Sequence, residues 1–360
     1  MIKDIEIQNF RCFDQFKTSG FGRINLISGK NSVGKTALLE AILLNAAPRP
    51  ETVMFLRQLR NEAADTSKSL PERTWVNLFF DPEYKEILIG STAAENSWQE
   101  LIISVDESVR NFDDEYDENN DDSEVMNLFS KSNSVVSVLH LAVNISGSNK
   151  FDSLLISSNK GILGKDHKIP NIRDVFFNPA FLRPRSRTIA EEFDKAFLSN
   201  DSSDIFLGLI GTIDPDIIDA RTSAIGEPTL YLQRKNQSRL PIGMFGDAIA
   251  RVADIGLKII NNKNSILLID EIENGIHHAN QVAFWDALYK LAERLNVQIF
   301  ATTHSLEMLQ SFIEAGKTND VLAMHFELVR NIKTGKIIAI KRAVDNLDYD
   351  IKHGKEVRGE

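Results

Sequence analysis

The sequence predicts an α/β fold built on a parallel sheet, on three observations. Apolar runs too continuous for half-exposed strands occur at INLIS (24–28), SILLID (265–270) and VQIFAT (297–302), as expected of strands buried on both faces. Stretches with apolar residues at helical spacing lie between them, so strand and helix alternate as in a sheet covered on both sides. Each strand runs into a short polar segment, at 29–36, 270–271 and 301–305, at the edge where open α/β sheets bind ligands.

From the N-terminus, residues 2–8 (IKDIEIQ) alternate like a half-buried strand, and 24–28 form the first continuous one. A helix follows in KTALLEAILLNAA, with Leu38, Leu39, Ile42 and Leu43 at helical spacing and Pro48 and Pro50 expected to stop it. Between about 75 and 157 the runs WVNLFF, EILIG, LIISV, SVVSVLHLAVNI and SLLIS predict the short strands of a β-rich lobe. DVFFN (174–178) predicts a further core strand, and 188–225, containing IAEEFDKAF, an α-rich segment. Ile249, Val252, Ile255, Leu257, Ile259 and Ile260 mark a helix over 248–260; Val282, Trp285, Leu288, Tyr289, Ala292 and Leu295 mark another between the last two core strands. After 321, VLAMHFEL and KIIAIK predict a hairpin covering a sheet edge, and DNLDYD (345–350) a solvated tail. No heptad pattern or internal repeat is visible.

Composition narrows the class. The chain has 360 residues, 42% hydrophobic and 26% charged, which is ample for a large core and excludes disorder throughout. Its one cysteine, Cys12, supports neither an internal disulfide nor a cysteine zinc site. No apolar run reaches the ~20 residues of a membrane helix, and MIKDIEIQNF lacks a signal peptide's pattern. The expectation is a reduced, cytoplasmic protein without a membrane partner. Of the net charge of −10, −9 falls within residues 106–124, leaving the rest near neutral. That segment reads as a solvated insertion, with a metal or basic-partner site as the alternative. A near-neutral body leaves a nucleic-acid surface open.

GKNSVGKT, Gly29 to Thr36, fits G-x-x-x-x-G-K-[ST] between a predicted strand and helix. In such a loop the glycines let backbone N–H groups and a helix N-terminus face phosphate oxygens. Gly29, Asn31, Ser32, Gly34, Lys35, Thr36 and Ala37 are the expected nucleotide-binding residues. Lys35 reaches the β- and γ-phosphates, and the Thr36 hydroxyl binds Mg²⁺. SILLIDE then places Asp270 and Glu271 at a strand end. Asp270 is expected to share the Mg²⁺, and Glu271 to orient or deprotonate the attacking water. An acidic pair capping the next helix would explain neither the apolar run before it nor the glycine-rich loop. ATTHS (301–305) ends the next strand and puts His304 34 residues beyond Asp270, expected near the γ-phosphate. The catalytic set is therefore Lys35, Glu271 and His304, with ATP and Mg²⁺, on a P-loop NTPase fold.

With these residues the sequence resembles an ABC-type ATPase head of the group containing RecF, SMC proteins and the OLD (overcoming lysogenization defect) family. IEIQNFRCF resembles their first strand and Asn-Phe-Arg turn, and LLIDEIENGIHH the DE-x-E-x-G-hydrophobic-His form of OLD-like ATPases. The resemblance covers 1–47 and 240–312 well and the lobe between them in outline. It implies one ABC-type ATPase domain over 1–360, assembled from a Walker A lobe (1–50), a β-rich lobe (51–173), a small α-helical insertion (174–240), a segment with signature, Walker B, D-loop and H-switch (241–320) and a C-terminal hairpin and tail (321–360). Asn274, Gly275 and His277 fall in the D-loop, with His277 and His278 as interface or structural residues. In LPIGMFGDAIARV, Gly246 and Asp247 replace the glycine pair of the signature, and Gly243 or Met244 stands at its serine. These residues are expected to act in trans on nucleotide held by a second subunit. No glutamine matches the Q-loop, where Asn178 stands instead.

The resemblance further implies a homodimer or higher homo-oligomer whose ATP hydrolysis regulates a separate effector, a nuclease or toxin, in defence against foreign DNA. The 55 residues after Ser305 are too few for the Toprim nuclease domain of OLD nucleases. A RecF-like ATP-gated DNA clamp and a nucleotide-sensing scaffold with little turnover are the alternatives. The basic cluster Arg183, Arg185 and Arg187 reads as paired with Glu191 and Glu192 or solvated rather than as a nucleic-acid track.

Overall fold

The computed structural model describes residues 1–62, 68, 70–93, 97–106, 136–146, 149–166, 174–180, 186–198, 202–223 and 225–357. The chain divides into two compact units, one of Met1–Asp4, Thr18–Leu39 and Arg173–Glu360, the other of Ile5–Lys17 and Glu40–Ile172. Of the acidic segment 106–124 only Asp106 lies among the described residues, and Arg183 and Arg185 lie outside them. No helix among the described residues is long and apolar enough to cross a membrane.

The second unit is organised by a seven-stranded sheet in the order β2-β1-β4-β5-β6-β7-β8. Its strands, numbered along the chain, are β1 (Ile2–Phe10), β2 (Phe13–Ser19), β4 (Glu86–Ala93), β5 (Trp98–Asp106), β6 (Ser137–Ile145), β7 (Asn149–Ser158) and β8 (Gly161–Asp166). From β4 to β8 it is an antiparallel meander, with Ile87 opposite Ile103, Ile103 opposite Leu141 and Leu139 opposite Leu155. Such apolar cross-strand pairs on one face fix the register. The run WVNLFF is not a strand. It forms a 3-10 turn at Val76–Leu78, because Trp75 and Leu78 are buried and the two residues between them exposed, a one-turn spacing rather than an alternation. Pro50 likewise starts a helix, although it ends the pattern before it. Extended Arg49 precedes it, and α2 (Pro50–Leu59) begins with proline where an unpaired N–H would otherwise lie.

The first unit carries a six-stranded sheet in the order β16-β15-β3-β14-β13-β9. Its strands are β3 (Ile24–Gly29), β9 (Val175–Asn178), β13 (Ile266–Ile269), β14 (Gln298–Thr302), β15 (Ala323–Arg330) and β16 (Ile337–Ala343). All neighbours pair in parallel except β15 and β16. Every residue of β3, β13 and β14 is buried, as their apolar runs predict. The helices are α1 (Lys35–Ala46), α3 (Ser186–Phe197), α4 (Ser202–Ile210), α5 (Asp247–Asn261), α6 (His278–Arg294), α7 (Leu306–Thr318) and α8 (Val344–Lys352). On α6 and α7, Trp285, Tyr289 and Phe312 form one aromatic cluster of the core, with Trp285 edge-on to the other two rings.

Two expectations fail here for identifiable reasons. The α-rich segment contains α3 and α4 but continues into a three-stranded sheet of β10 (Ile217–Ser223), β11 (Thr229–Arg234) and β12 (Leu240–Pro241). An irregularity between Ile217 and Asp219 leaves Ile217 and Ala220 both buried at a three-residue spacing, which imitates a helix. DNLDYD is not a solvated tail but most of α8. Leu347 is buried, Asp348 pairs with Lys317 and Lys352 at 2.6 and 2.8 Å, and Asp350 with Arg342 and Lys355 at 2.9 and 2.8 Å. The C-terminal hairpin is present and extends the sheet beyond β3. In the insertion Arg187 pairs with Glu191 at 2.8 Å, whereas Glu192 accepts from Asn261.

Candidate functional site

The sheet order places the ends of β3, β14 and β13 side by side, and the three polar segments follow those ends. β3 closes at Gly29 with φ 146°, where a Cβ would lie 2.6 Å from the Leu328 carbonyl oxygen and 2.8 Å from Val33 Cγ1. Only glycine fits. The loop turns again through positive φ at Ser32 (61°) and Gly34 (105°), and α1 begins directly at Lys35. First-turn amides of a helix have no partner inside it, so this loop and helix start form a nest for an anion.

Lys35 is buried, and its Nζ donates to the carbonyls of Gly29 (2.7 Å) and Lys30 (3.0 Å). Burial pushes its pKa below the usual lysine value, and Asp270, Glu273 and Glu271 pull it back up. A phosphate would offer the ammonium a charged acceptor in place of two neutral carbonyls.

Thr36 Oγ1 lies 3.1 and 3.0 Å from the two carboxylate oxygens of buried Asp270. A hydroxyl and a carboxylate in contact beside a phosphate loop are the hard oxygen donors that suit Mg²⁺, so Thr36 and Asp270 fit that ion. Thr302 Oγ1 donates to Asp270 Oδ1 at 2.6 Å and accepts from the Glu271 amide at 2.8 Å.

Glu271 has φ 48°, a left-handed conformation costly for a residue with a Cβ. Besides Thr302, it is held by Asn274, whose Nδ2 donates to Glu271 Oε2 at 2.8 Å and whose amide donates to the Glu271 carbonyl at 3.0 Å. Arg251 Nη2 donates to the carbonyls of Asp270 (2.7 Å) and Glu271 (3.0 Å). The next acidic residue, Glu273, takes both the backbone N (2.8 Å) and Nδ1 (2.9 Å) of His304 on one oxygen, while the His304 side chain remains half exposed.

Gly246 has φ 91° and caps α5, whose first residue is Asp247; both are exposed, as are Gly243 and Met244. A Cβ on Gly275 (φ 78°) would lie 3.5 Å from the backbone of Ala248, so the loop 274–277 packs against the start of α5. His277 caps α6 by accepting from the Ala279 amide at 3.3 Å, and its ring packs on that of His278, with centroids 4.1 Å apart. Asn178, at the end of β9, is turned to Asp254 of α5, to which its Nδ2 donates. Asp254 is also paired with Lys258 at 2.7 Å.

The first unit thus brings together Gly29, Lys35, Thr36, Asp270, Glu271 and Asn274, with His304 bound to Glu273 beside them. Sequence reasoning passes over Thr302 and Arg251. Thr302 lies within ATTHS and is legible as the β14 residue in line with Asp270. Arg251 has no sequence signal, since its partners are backbone carbonyls 19 and 20 residues further on.

A family profile described as "AAA domain, putative AbiEii toxin, Type IV TA system" matches residues 24–309. An "ATP/GTP phosphatase" of Helicobacter pylori (strain ATCC 700392 / 26695) is 24% identical over 335 residues, covering 86% of this chain and 87% of its own. "Uncharacterized protein MJECL10" of Methanocaldococcus jannaschii is 38% identical over 60 residues, covering 17% of this chain and 27% of its own. Among solved structures, an SMC head bound to the C-winged helix domain of ScpA superposes with a TM-score of 0.50 at 11% identity, covering 96% of this chain and 98% of that one. The fold is that of an SMC- or ABC-type ATPase head, a P-loop NTPase.

Proposed function

The chain belongs to the AAA-domain family whose profile spans residues 24–309, and from that premise we propose that it binds ATP with Mg²⁺ and hydrolyses it to ADP and phosphate. One observation carries this reading: the Thr36 hydroxyl at the start of the phosphate loop's helix touches both carboxylate oxygens of Asp270. A glycine-rich turn that served packing alone would not need a buried carboxylate at that point.

The loop 29–34 and Lys35 bind the phosphates, and Asn31, Ser32 and Ala37 complete the loop and first turn. Mg²⁺, held by Thr36 and Asp270, would draw charge from the β- and γ-phosphate oxygens. Glu271 takes a proton from the attacking water, whose oxygen bonds the γ-phosphorus as its bond to the β,γ-bridging oxygen breaks. Asn274 holds the Glu271 carboxylate, and His304, fixed on Glu273, lies beside the γ-phosphate. The similarity to an ATP/GTP phosphatase over most of both chains supports this chemistry.

Gly246 and Asp247 are exposed at the start of α5, which supports their serving nucleotide bound by a second copy in a head-to-head homodimer. The OLD-like resemblance and the family's description as a toxin of a toxin–antitoxin system support a cytoplasmic defence role. In that role the nucleotide state controls a separate nuclease or toxin effector. The test is Mg²⁺-dependent phosphate release by the full chain, together with its mass in ATP. Release by the wild type and not by Lys35→Ala, with an ATP-dependent dimer, is the expected result. A monomer whose DNA binding is salt-dependent and strengthened by ATP would favour the RecF-like reading instead.

A further inference from the structure

Arg251 is a buried residue of α5, 7% exposed, among the apolar Ile249, Val252, Ala253 and Ile255 and the acidic Asp254. A guanidinium so placed is expensive unless compensated; the carboxylates of Glu273, Asp270, Asp254 and Glu271 offset its charge, while the acceptors of its hydrogen bonds are three backbone carbonyls. Nη2 serves Asp270 and Glu271, and Nη1 reaches Ala180 at 3.4 Å, two residues past the end of β9. Its Nε is buried with no partner among the described residues. The Glu271 peptide is therefore gripped from both sides, its N–H by Thr302 and its C=O by Arg251 together with the Asn274 amide, with the residue at φ 48°. Strained backbone of this kind persists only where surrounding contacts over-determine it.

We propose that Arg251 is a positioning residue of Glu271, a rigid fork that, with Thr302 and Asn274, fixes the left-handed turn and thereby aims the carboxylate at the attacking water. The proposal rests on Glu271 being the base. The planar guanidinium suits this task because it presents several donors in fixed directions, which the single ammonium of lysine does not. Arg251 is also one helical turn from Asp247. A shift of α5 at its exposed start would therefore move the clamp on Glu271.

The test compares the full-length wild type with Arg251→Lys, Arg251→Met, Glu271→Gln and the Arg251→Met/Glu271→Gln double variant. It measures single-turnover ATP hydrolysis, affinity for a fluorescent ATP analogue and thermal melting. Both Arg251 variants should bind nucleotide within about threefold of the wild type, while the rate falls about tenfold for lysine and about a hundredfold for methionine, the scale of a misplaced catalytic group. In the Glu271→Gln background, Arg251→Met should slow the rate by less than about twofold, since a residue acting through Glu271 has nothing left to position. A merely structural role would slow both backgrounds by the same factor and would overturn the proposal. So would a wild-type rate in Arg251→Lys, which remains decisive should the methionine variant fail to melt cooperatively. Glu271→Gln hydrolysing at the wild-type rate would instead remove the base assignment on which the proposal rests.

Discussion

Thr302 Oγ1 donates to Asp270 Oδ1 at 2.6 Å and accepts from the Glu271 amide at 2.8 Å, so one hydroxyl joins the candidate metal ligand to the candidate base. The sheet order makes this possible. β14 lies between β3 and β13, and its pairing of Ala301 with Ile269 puts Thr302 level with Asp270. Thr302→Val keeps the shape and removes both bonds, leaving the Glu271 N–H without its acceptor. It should lower stability by about 1–3 kcal/mol and slow hydrolysis at least about tenfold. Thr302→Ser should restore most of both, as read by denaturant melts and phosphate release.

Lys35→Ala should weaken ATP binding, measured by fluorescence titration, by about a hundredfold or more, because the γ-phosphate loses its buried cation. It should also abolish ATP-dependent dimerisation. Near-wild-type affinity would remove the phosphate-loop assignment.

Thr36→Ala should raise the Mg²⁺ concentration giving half-maximal hydrolysis, whereas Thr36→Ser, which keeps the oxygen donor, should not. Equal Mg²⁺ dependence in the two variants would show that the hydroxyl does not serve the ion.

His325 supplies a pH prediction. It is fully buried on β15, its Nε2 2.8 Å from Ser28 Oγ, one residue before the phosphate loop. Burial, with Arg342 adding to it, pushes its pKa from 6.5 down to about 3. The unfolded chain takes up a proton as pH falls through 6.5 and the folded chain does not until about 3. His325 therefore contributes stability above pH 6.5 that is lost as pH falls across this window. From pH 7 to 5 the loss should be about 2 kcal/mol, at ~1.4 kcal/mol per unit once below 6.5. Chemical denaturation at the two pH values reads it, and His325→Gln should show a flatter dependence.

The edge that carries the candidate site is legible because its polar residues fall in contiguous runs. GKNSVGKT, SILLIDE and ATTHS each join a buried strand to the polar residues at its end, and burial on both faces forces such strands to be uninterrupted. Elements without that constraint were not legible. The 217–220 spacing imitated a helix because of a strand irregularity, WVNLFF buried one face of a turn, and DNLDYD hid one buried leucine and four pairing cations. Asn178 stands at the position the resemblance gives to a Q-loop glutamine, and its side chain turns to Asp254 rather than to Thr36 or Asp270. Arg251 binds carbonyl oxygens, which every residue type supplies, so no pattern of side chains could announce it.

The central claim is that Glu271 activates water for attack on ATP, and single-turnover hydrolysis by Glu271→Gln beside the wild type, with ATP affinity measured on both, tests it most directly. Glutamine keeps the size and can still accept from Asn274 but cannot take up a proton. The prediction is unchanged ATP affinity with a rate reduced about 10²–10⁴-fold. Hydrolysis by Glu271→Gln at the wild-type rate would contradict it.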